Sequence, residues 1–175
     1  MRVIAGELKG RRLATPARGA DVRPTADRVR EALFSILGDV GSLRVLDLFC
    51  GTGALGIEAL SRGAAEATMV DTDTGLAARN VEALGLGERA SVVRADSVAY
   101  LEASGPEFDL ILCDPPYRLA ARLEAQLRKL VPGRLAPHGR LVVESAARRP
   151  VDLEPDLVLA RERRYGDSSL RIWSA

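Results

Sequence analysis

Four acids, Asp47, Asp71, Asp96 and Asp114, each close a short strand-like run, and a helix-length segment follows each of them. Strands alternating with helices at short intervals fold as a parallel sheet covered on both faces. In such sheets ligands bind beyond the carboxyl ends of the strands. The four acids are therefore expected along one crevice. Taken singly, each has an ordinary alternative as a helix cap or turn former; four in register constrain the chain far more.

The predicted strands are residues 44–48, 67–71, 91–94, 108–113 and 139–144, and the predicted helices 54–62, 76–84 and 120–130. Gly63 is expected past the end of the first of these helices, and Ser97 is expected to cap a short helix through Leu101. Residues 146–156 are broken by Pro150 and Pro155 and read as loop. Residues 157–163 and 168–173 flank Tyr165-Gly166-Asp167, a hairpin signal that ends the sheet with an antiparallel pair. The expected fold class is α/β, a doubly wound, seven-stranded, mostly parallel sheet.

Residues 1–38 read as a separate extension packed on a main domain of residues 39–175. Gly6 and Gly10 punctuate a small basic hairpin. A helix then opens at Pro24-Thr25 with an apolar stripe of Val29, Ala32, Leu33, Ile36 and Leu37, stopped by Gly38. Arg28 and Arg30 lie off that stripe and are expected to face solvent or a ligand. Residues 1–30 hold eight Lys/Arg against three Asp/Glu, a net of +5, on a chain whose formal charge is only +1. Such asymmetry suits a polyanionic partner touched at one end, although a solvated Arg-rich surface is the plain alternative. Arg2, Lys9, Arg11, Arg12, Arg23, Arg28 and Arg30 are the candidate phosphate contacts.

No apolar run approaches a membrane span, the first residues lack the core of a signal peptide, and a cytoplasmic protein is expected. Two cysteines and one histidine offer neither a disulfide framework nor a metal cluster. Cys113 adjoins the Asp114 turn but follows no proline, as a cytosine-C5 nucleophile would; it reads as a small buried apolar group.

Gly51-Thr52-Gly53-Ala54-Leu55-Gly56 matches G-x-G-x-x-G between a strand and a helix, which alone suggests a dinucleotide. Three features favour S-adenosylmethionine instead. Asp47 stands just before the loop, where it would repel a pyrophosphate but meet an ammonium. Asp96, with Ser97 beside it, is placed to accept from an adenine amine. The Asp114 turn has no use in hydride transfer. The expected donor-binding set is Asp47, Phe49, Gly51, Thr52, Gly53, Asp71, Thr72, Asp96 and Ser97. Thr25 joins it if the first helix offers its N-terminus to the donor's carboxylate, the alternative being an ordinary N-cap.

Asp114-Pro115-Pro116-Tyr117 is the expected catalytic turn. Asp114 and the carbonyl of Pro115 can accept the two N–H bonds of an exocyclic amine and favour a pyramidal nitrogen. Prolines fix φ and add no competing donor, and Tyr117 offers a stacking face for a base.

Together, Val45-Leu-Asp-Leu-Phe-Cys-Gly-Thr-Gly-Ala-Leu-Gly-Ile-Glu-Ala-Leu-Ser-Arg-Gly63, the Asp114 turn, Arg2-Val-Ile-Ala-Gly6 and Arg23-Pro-Thr-Ala-Asp-Arg-Val-Arg-Glu-Ala-Leu-Phe34 resemble one family. It is the bacterial 16S ribosomal RNA guanine-N2 methyltransferases (small-subunit methyltransferase D). The donor loop is common to many methyltransferases, the turn to amino methyltransferases, and residues 23–34 are the specific part. The resemblance implies a class I, Rossmann-like fold and methyl transfer from S-adenosylmethionine to a guanine N2 in 16S rRNA. It further implies action within an assembling 30S particle; a monomer is expected. Cys50 and Thr52 stand where the family usually has Ala and Ser, and Asp71 where Glu is frequent. A DNA adenine methyltransferase shares the turn, and a non-catalytic assembly factor would share the fold.

Overall fold

The computed structural model describes residues 1–16 and 25–174, without the side chains of 25, 26, 117, 120 and 121. Its seven strands are β1 (Arg44–Leu48), β2 (Glu66–Asp71), β3 (Ala90–Arg94), β4 (Phe108–Cys113), β5 (Leu135–Ala146), β6 (Val158–Tyr165) and β7 (Ser168–Ser174). They form one sheet in the order β3-β2-β1-β4-β5-β7-β6. The pairs among β1 to β5 are parallel, and β7 runs antiparallel to both β5 and β6. The strand order reverses between β1 and β4, so the crevice of this sheet opens there.

Alternation along each strand sorts the core into two layers. Val45, Ala67, Met69, Leu110, Leu112, Val142, Leu170 and Ile172 lie on one face. They pack with α1 (Thr25–Leu37), α2 (Ala54–Ser61) and α3 (Gly75–Ala83). Leu46, Leu48, Ile111, Cys113, Leu141, Val143 and Trp173 lie on the other, with α4 (Ser97–Glu102), α5 (Tyr117–Leu130) and the crossover residues Val151, Leu153 and Leu157. α2 is apolar almost all round because it is covered twice, by the sheet and by the N-terminal segment.

The N-terminal hairpin shrinks to a single antiparallel bridge, Arg2 with Arg12. What holds this strap is α2 and α3 rather than its own pairing. Glu58, fully buried, accepts the amides of Ile4 (2.8 Å) and Ala5 (3.0 Å). Ser61 accepts the Leu8 amide at its hydroxyl (3.0 Å) and the Glu7 amide at its carbonyl (2.8 Å). Asn80 bonds both the amide (2.7 Å) and the carbonyl (3.1 Å) of Ala14. Gly6 is required there: it has φ 81°, and a Cβ would sit 1.7 Å from the Ser61 carbonyl oxygen.

Four sequence expectations are corrected. Arg30 does not face solvent: it is 4% exposed, paired with Asp27 (3.0 Å) and Glu58 (3.6 Å), and donates to the Arg2 carbonyl. The buried stripe of α1 includes Phe34, which widens it to position 30 one turn earlier, and Glu58 compensates the charge. Asp96, not Ser97, caps α4, its carboxylate accepting from Val98 (2.9 Å) and Ala99 (3.0 Å). α5 starts at Tyr117 rather than near residue 120, because Pro116 makes a ready N-cap turn. β5 runs twelve residues from Leu135, its early part meeting β4 across an irregularity in register. Among the described residues no helix is long and apolar enough to cross a membrane.

Candidate active site

A cleft of about 1460 Å³ opens at the carboxyl edge of the sheet, on the face that α1 covers. Asp47, Asp71, Asp96 and Asp114 all line it, as do Phe49, Gly51, Thr52, Thr72, Ser97, Pro115 and Pro116. Gly53 lies just below, buried as the left-handed residue (φ 75°) that starts α2.

The glycine loop is drawn tight by the acids around it. The Asp71 carboxylate accepts the Gly51 amide (2.9 Å), and Asp47 accepts the Gly56 amide (2.9 Å). Gly53 donates to the Cys50 carbonyl at 2.7 Å. A Cβ on Gly56 would meet Met69 Cε at 2.8 Å, so the third glycine is what lets α2 approach β2. Gly51, by contrast, has φ 52° and open space above it. Asn80 joins the Thr52 carbonyl (2.9 Å) to the strap at Ala14, so loop and strap share one anchor. Phe49 holds φ 60°, a left-handed conformation costly for a bulky residue, and its amide donates to the Ser97 hydroxyl (3.2 Å). Thr72 is exposed, its hydroxyl bonded to the neighbouring Asp71 (3.3 Å).

Asp47 is the site's most unusual group. It is 1% exposed, and while its Oδ2 takes the Gly56 amide, its Oδ1 is buried with no partner. Burial pushes its carboxyl up from 3.8 to about 7; the Gly56 N–H works against this, and the Asp71 charge adds to it. A buried oxygen lacking a donor beside an open glycine loop is complementary to an ammonium group. The same carboxylate repels a pyrophosphate. The residues present thus fit the aminoacyl end of S-adenosylmethionine, and Asp71 and Asp96 line the same cleft one and two strands farther along.

Asp114 stands exposed at the end of β4, followed by buried Pro115 and exposed Pro116. The β1–β4 register pairs Leu48 with Cys113, which brings Asp114 alongside Phe49 and two positions beyond the Asp47 row. The glycine loop and the Asp114 turn are neighbours across the strand-order reversal. The side chain of Tyr117 lies outside the described residues; its backbone begins α5. The Thr25 side chain and all of Arg23 also lie outside them. Cys113 is buried, and burial with the nearby Asp114 and Asp47 charges drives its thiol far above the ordinary range, which makes it no nucleophile.

Arg2, Lys9, Arg11 and Arg12 are exposed on the strap and Arg28 on α1, whereas Arg30 is spent on buried pairing. Met1 and Pro16, at the two ends of the described strap, line the cleft, so its basic surface borders the site. Sequence reasoning missed Glu58, Ser61 and Asn80, which seat the strap. It also missed the far wall of the cleft: Glu144 and Ala146 at the end of β5, Arg148, and Tyr165 to Ser168 of the hairpin. Glu144 was findable as a fifth acid at a fifth strand end.

The family described as conserved hypothetical protein 95 matches residues 1–174. The "Ribosomal RNA small subunit methyltransferase D" of Escherichia coli (strain K12) is 36% identical over 99% of this chain and 89% of its own length. The Bacillus subtilis (strain 168) protein YlbH is 37% identical over 99% of this chain and 98% of its own. A solved Escherichia coli structure, that of yhhF, superposes with a TM-score of 0.84 at 34% identity, covering 99% of this chain and 97% of that one. Site geometry, sequence and fold agree: the chain belongs to the conserved hypothetical protein 95 family, that of the ribosomal RNA small subunit methyltransferase D proteins.

Proposed function

We propose that this protein is an S-adenosylmethionine-dependent methyltransferase of small-subunit ribosomal RNA, and that it modifies the exocyclic N2 of a guanine. The observation that carries the reading is the adjacency of Asp47 and Asp114. A buried carboxylate suited to an ammonium, and an exposed one suited to an amine, flank the point where the strand order reverses. The relationship to the Escherichia coli enzyme supports rRNA as the substrate.

S-adenosylmethionine supplies an electrophilic methyl group on a sulfonium sulfur. The chain's own residues hold and orient. Asp47 receives the ammonium, Asp71 and Thr72 the ribose, Asp96 and Ser97 the adenine, and the open backbone at Gly51 and Thr52 admits the donor closely. The target base leaves its stack, at a cost of a few kcal/mol, and Tyr117 stacks on it. Asp114 and the Pro115 carbonyl accept the two amine protons and turn the nitrogen lone pair toward the methyl. Asp114 or solvent would take the surplus amine proton as the nitrogen accepts the methyl carbon that the sulfonium sulfur gives up. Rate comes mainly from proximity and orientation.

Residues 1–38 act as the RNA-binding extension of a catalytic domain spanning 39–175. Arg2, Lys9, Arg11, Arg12, Arg23 and Arg28 contact phosphates, which positions the RNA without specifying sequence. The enzyme works as a monomer on an assembling 30S particle, and hence in the cytoplasm.

The test offers labelled donor with unmethylated 30S particles, naked 16S rRNA or duplex DNA, and identifies the modified nucleoside. N2-methylguanosine from an rRNA substrate is expected. N6-methyladenine from DNA, or no transfer with any substrate, would overturn the proposal.

A further inference from the structure

We propose that Asn80 is a positioning residue that makes the glycine loop's grip on the donor depend on how the strap is seated, so that rRNA held by the strap tightens donor binding. This inference rests on the functional reading above and adds to it a link between the sites of the two substrates. Asn80 is 2% exposed on α3, and its one side chain serves two segments far apart in the chain. Its Oδ1 accepts the Ala14 amide (2.7 Å), and its Nδ2 donates to the carbonyls of Ala14 (3.1 Å) and Thr52 (2.9 Å). A carboxamide offers both an acceptor and donors; a carboxylate has no donor, and an apolar side chain has neither.

The strap meets the loop at further points. The Leu13 amide donates to the Met1 carbonyl (3.2 Å), and Arg2 bridges Arg12, so residues 1–14 close on themselves with their base at Thr52. At that base the Thr52 hydroxyl donates to Met1 Sδ (3.7 Å), and Pro16 shares a small hollow with Gly51, Thr52 and Asp71. Lys9 and Arg11 stand exposed on the same closed segment. The cations that hold phosphate and the backbone that admits the donor therefore belong to one hydrogen-bonded unit. Ordering sets the sign of the effect. Gly51 and Gly53 have positive φ (52° and 75°), and glycines leave a loop many alternative conformations. The Ala14 bonds orient the carboxamide that holds the Thr52 carbonyl, so a seated strap narrows the loop to one shape. The ligand that binds first bears the cost of that order, and the second meets a protein already ordered. Linkage is reciprocal, so the donor steadies the strap by the same factor.

The test uses labelled S-adenosylhomocysteine, the donor without its methyl, in equilibrium dialysis. Its dissociation constant is measured alone and with whichever of unmethylated 30S particles or naked 16S rRNA accepts the methyl. Wild type is expected to bind it at least about fivefold tighter with the RNA substrate present, the lower end of typical coupling between sites. Asn80→Ala should bring the two constants within about twofold of each other. A purely structural role would weaken both and keep their ratio. A guanine-methylating wild type whose two constants agree, or a ratio that Asn80→Ala preserves, overturns this inference alone. If neither RNA accepts the methyl, the functional reading falls and this inference with it. Should Asn80→Ala not fold, hydrogen exchange in the wild type decides. Saturating S-adenosylhomocysteine should slow exchange of the Ala14 amide, bonded to Asn80, by at least about fivefold more than that of the Leu157 amide on the other face of the sheet. Equal slowing at both amides overturns the link.

Discussion

Asp47→Asn removes a negative charge from the least hydrated position in the site, and the structure fixes the sign of the effect. The wild-type carboxyl titrates at about 7 in the donor-free fold against 3.8 when unfolded. Between those values the folded chain holds a proton that the unfolded chain has released, so stability falls as pH rises. It is fully present below about pH 4 and lost by the time pH passes 7. Three pH units correspond to about 4 kcal/mol. The asparagine oxygen can still accept the Gly56 amide, though a neutral acceptor gives up about 1 kcal/mol of that bond. The variant should therefore be more stable than wild type by about 3 kcal/mol at pH 8. Below pH 7 its advantage should shrink by about 1.4 kcal/mol per pH unit. Urea unfolding of both proteins at pH 5.5, 7 and 8.5, without donor, measures this directly. Donor affinity should fall in the same variant, since the ammonium loses its counter-charge. A variant less stable than wild type at pH 8.5, or a difference that ignores pH, would refute the view that Asp47 is held ionised at the fold's expense for a cationic ligand.

Glu58→Ala should cost about 3–5 kcal/mol in urea unfolding, because it removes one of the two carboxylates paired with the buried Arg30 guanidinium and strands two strap amides. A loss below 1 kcal/mol would mean that the strap is not part of the folded unit. Gly6→Ala should release the strap from Ser61, since its Cβ would overlap backbone; hydrogen exchange at the Glu7 and Leu8 amides should accelerate, and unchanged protection would contradict the seating described. Combined Lys9→Glu, Arg11→Glu and Arg12→Glu should weaken rRNA binding and flatten its salt dependence while donor binding survives. Unchanged affinity across salt would remove the strap from RNA recognition.

The parallel strands were legible because period-two apolar runs, glycine stops and end-of-strand acids coincided at β1, β2 and β4. The glycine loop was legible for the same reason: G-x-G-x-x-G admits few conformations between a strand and a helix. Arg30 was not, because helical periodicity marks only a face; what it meets there is decided by Glu58, twenty-eight residues later on another helix. Glu58 itself left a trace, a charge within the apolar run 56–60. The strap read as a hairpin since Gly6 and Gly10 do turn the chain, but its anchors on Ser61 and Asn80 are long-range and leave no local pattern. Asp96 and Ser97 exchanged parts at the start of α4: either side chain caps well, and only the tertiary bond from the Phe49 amide to Ser97 decides between them. Glu144 escaped attention because its place in the cleft comes from register with Asp114 rather than from sequence proximity.

The central claim is that donor and amine are gripped by different carboxylates meeting at one sheet edge. Single-turnover transfer by Asp114→Ala, preloaded with labelled donor and mixed with unmethylated 30S particles, tests it most directly. The account predicts a donor dissociation constant within about twofold of wild type and transfer slowed by about a hundredfold or more. Transfer at the wild-type rate, or donor binding lost in step with it, would contradict it.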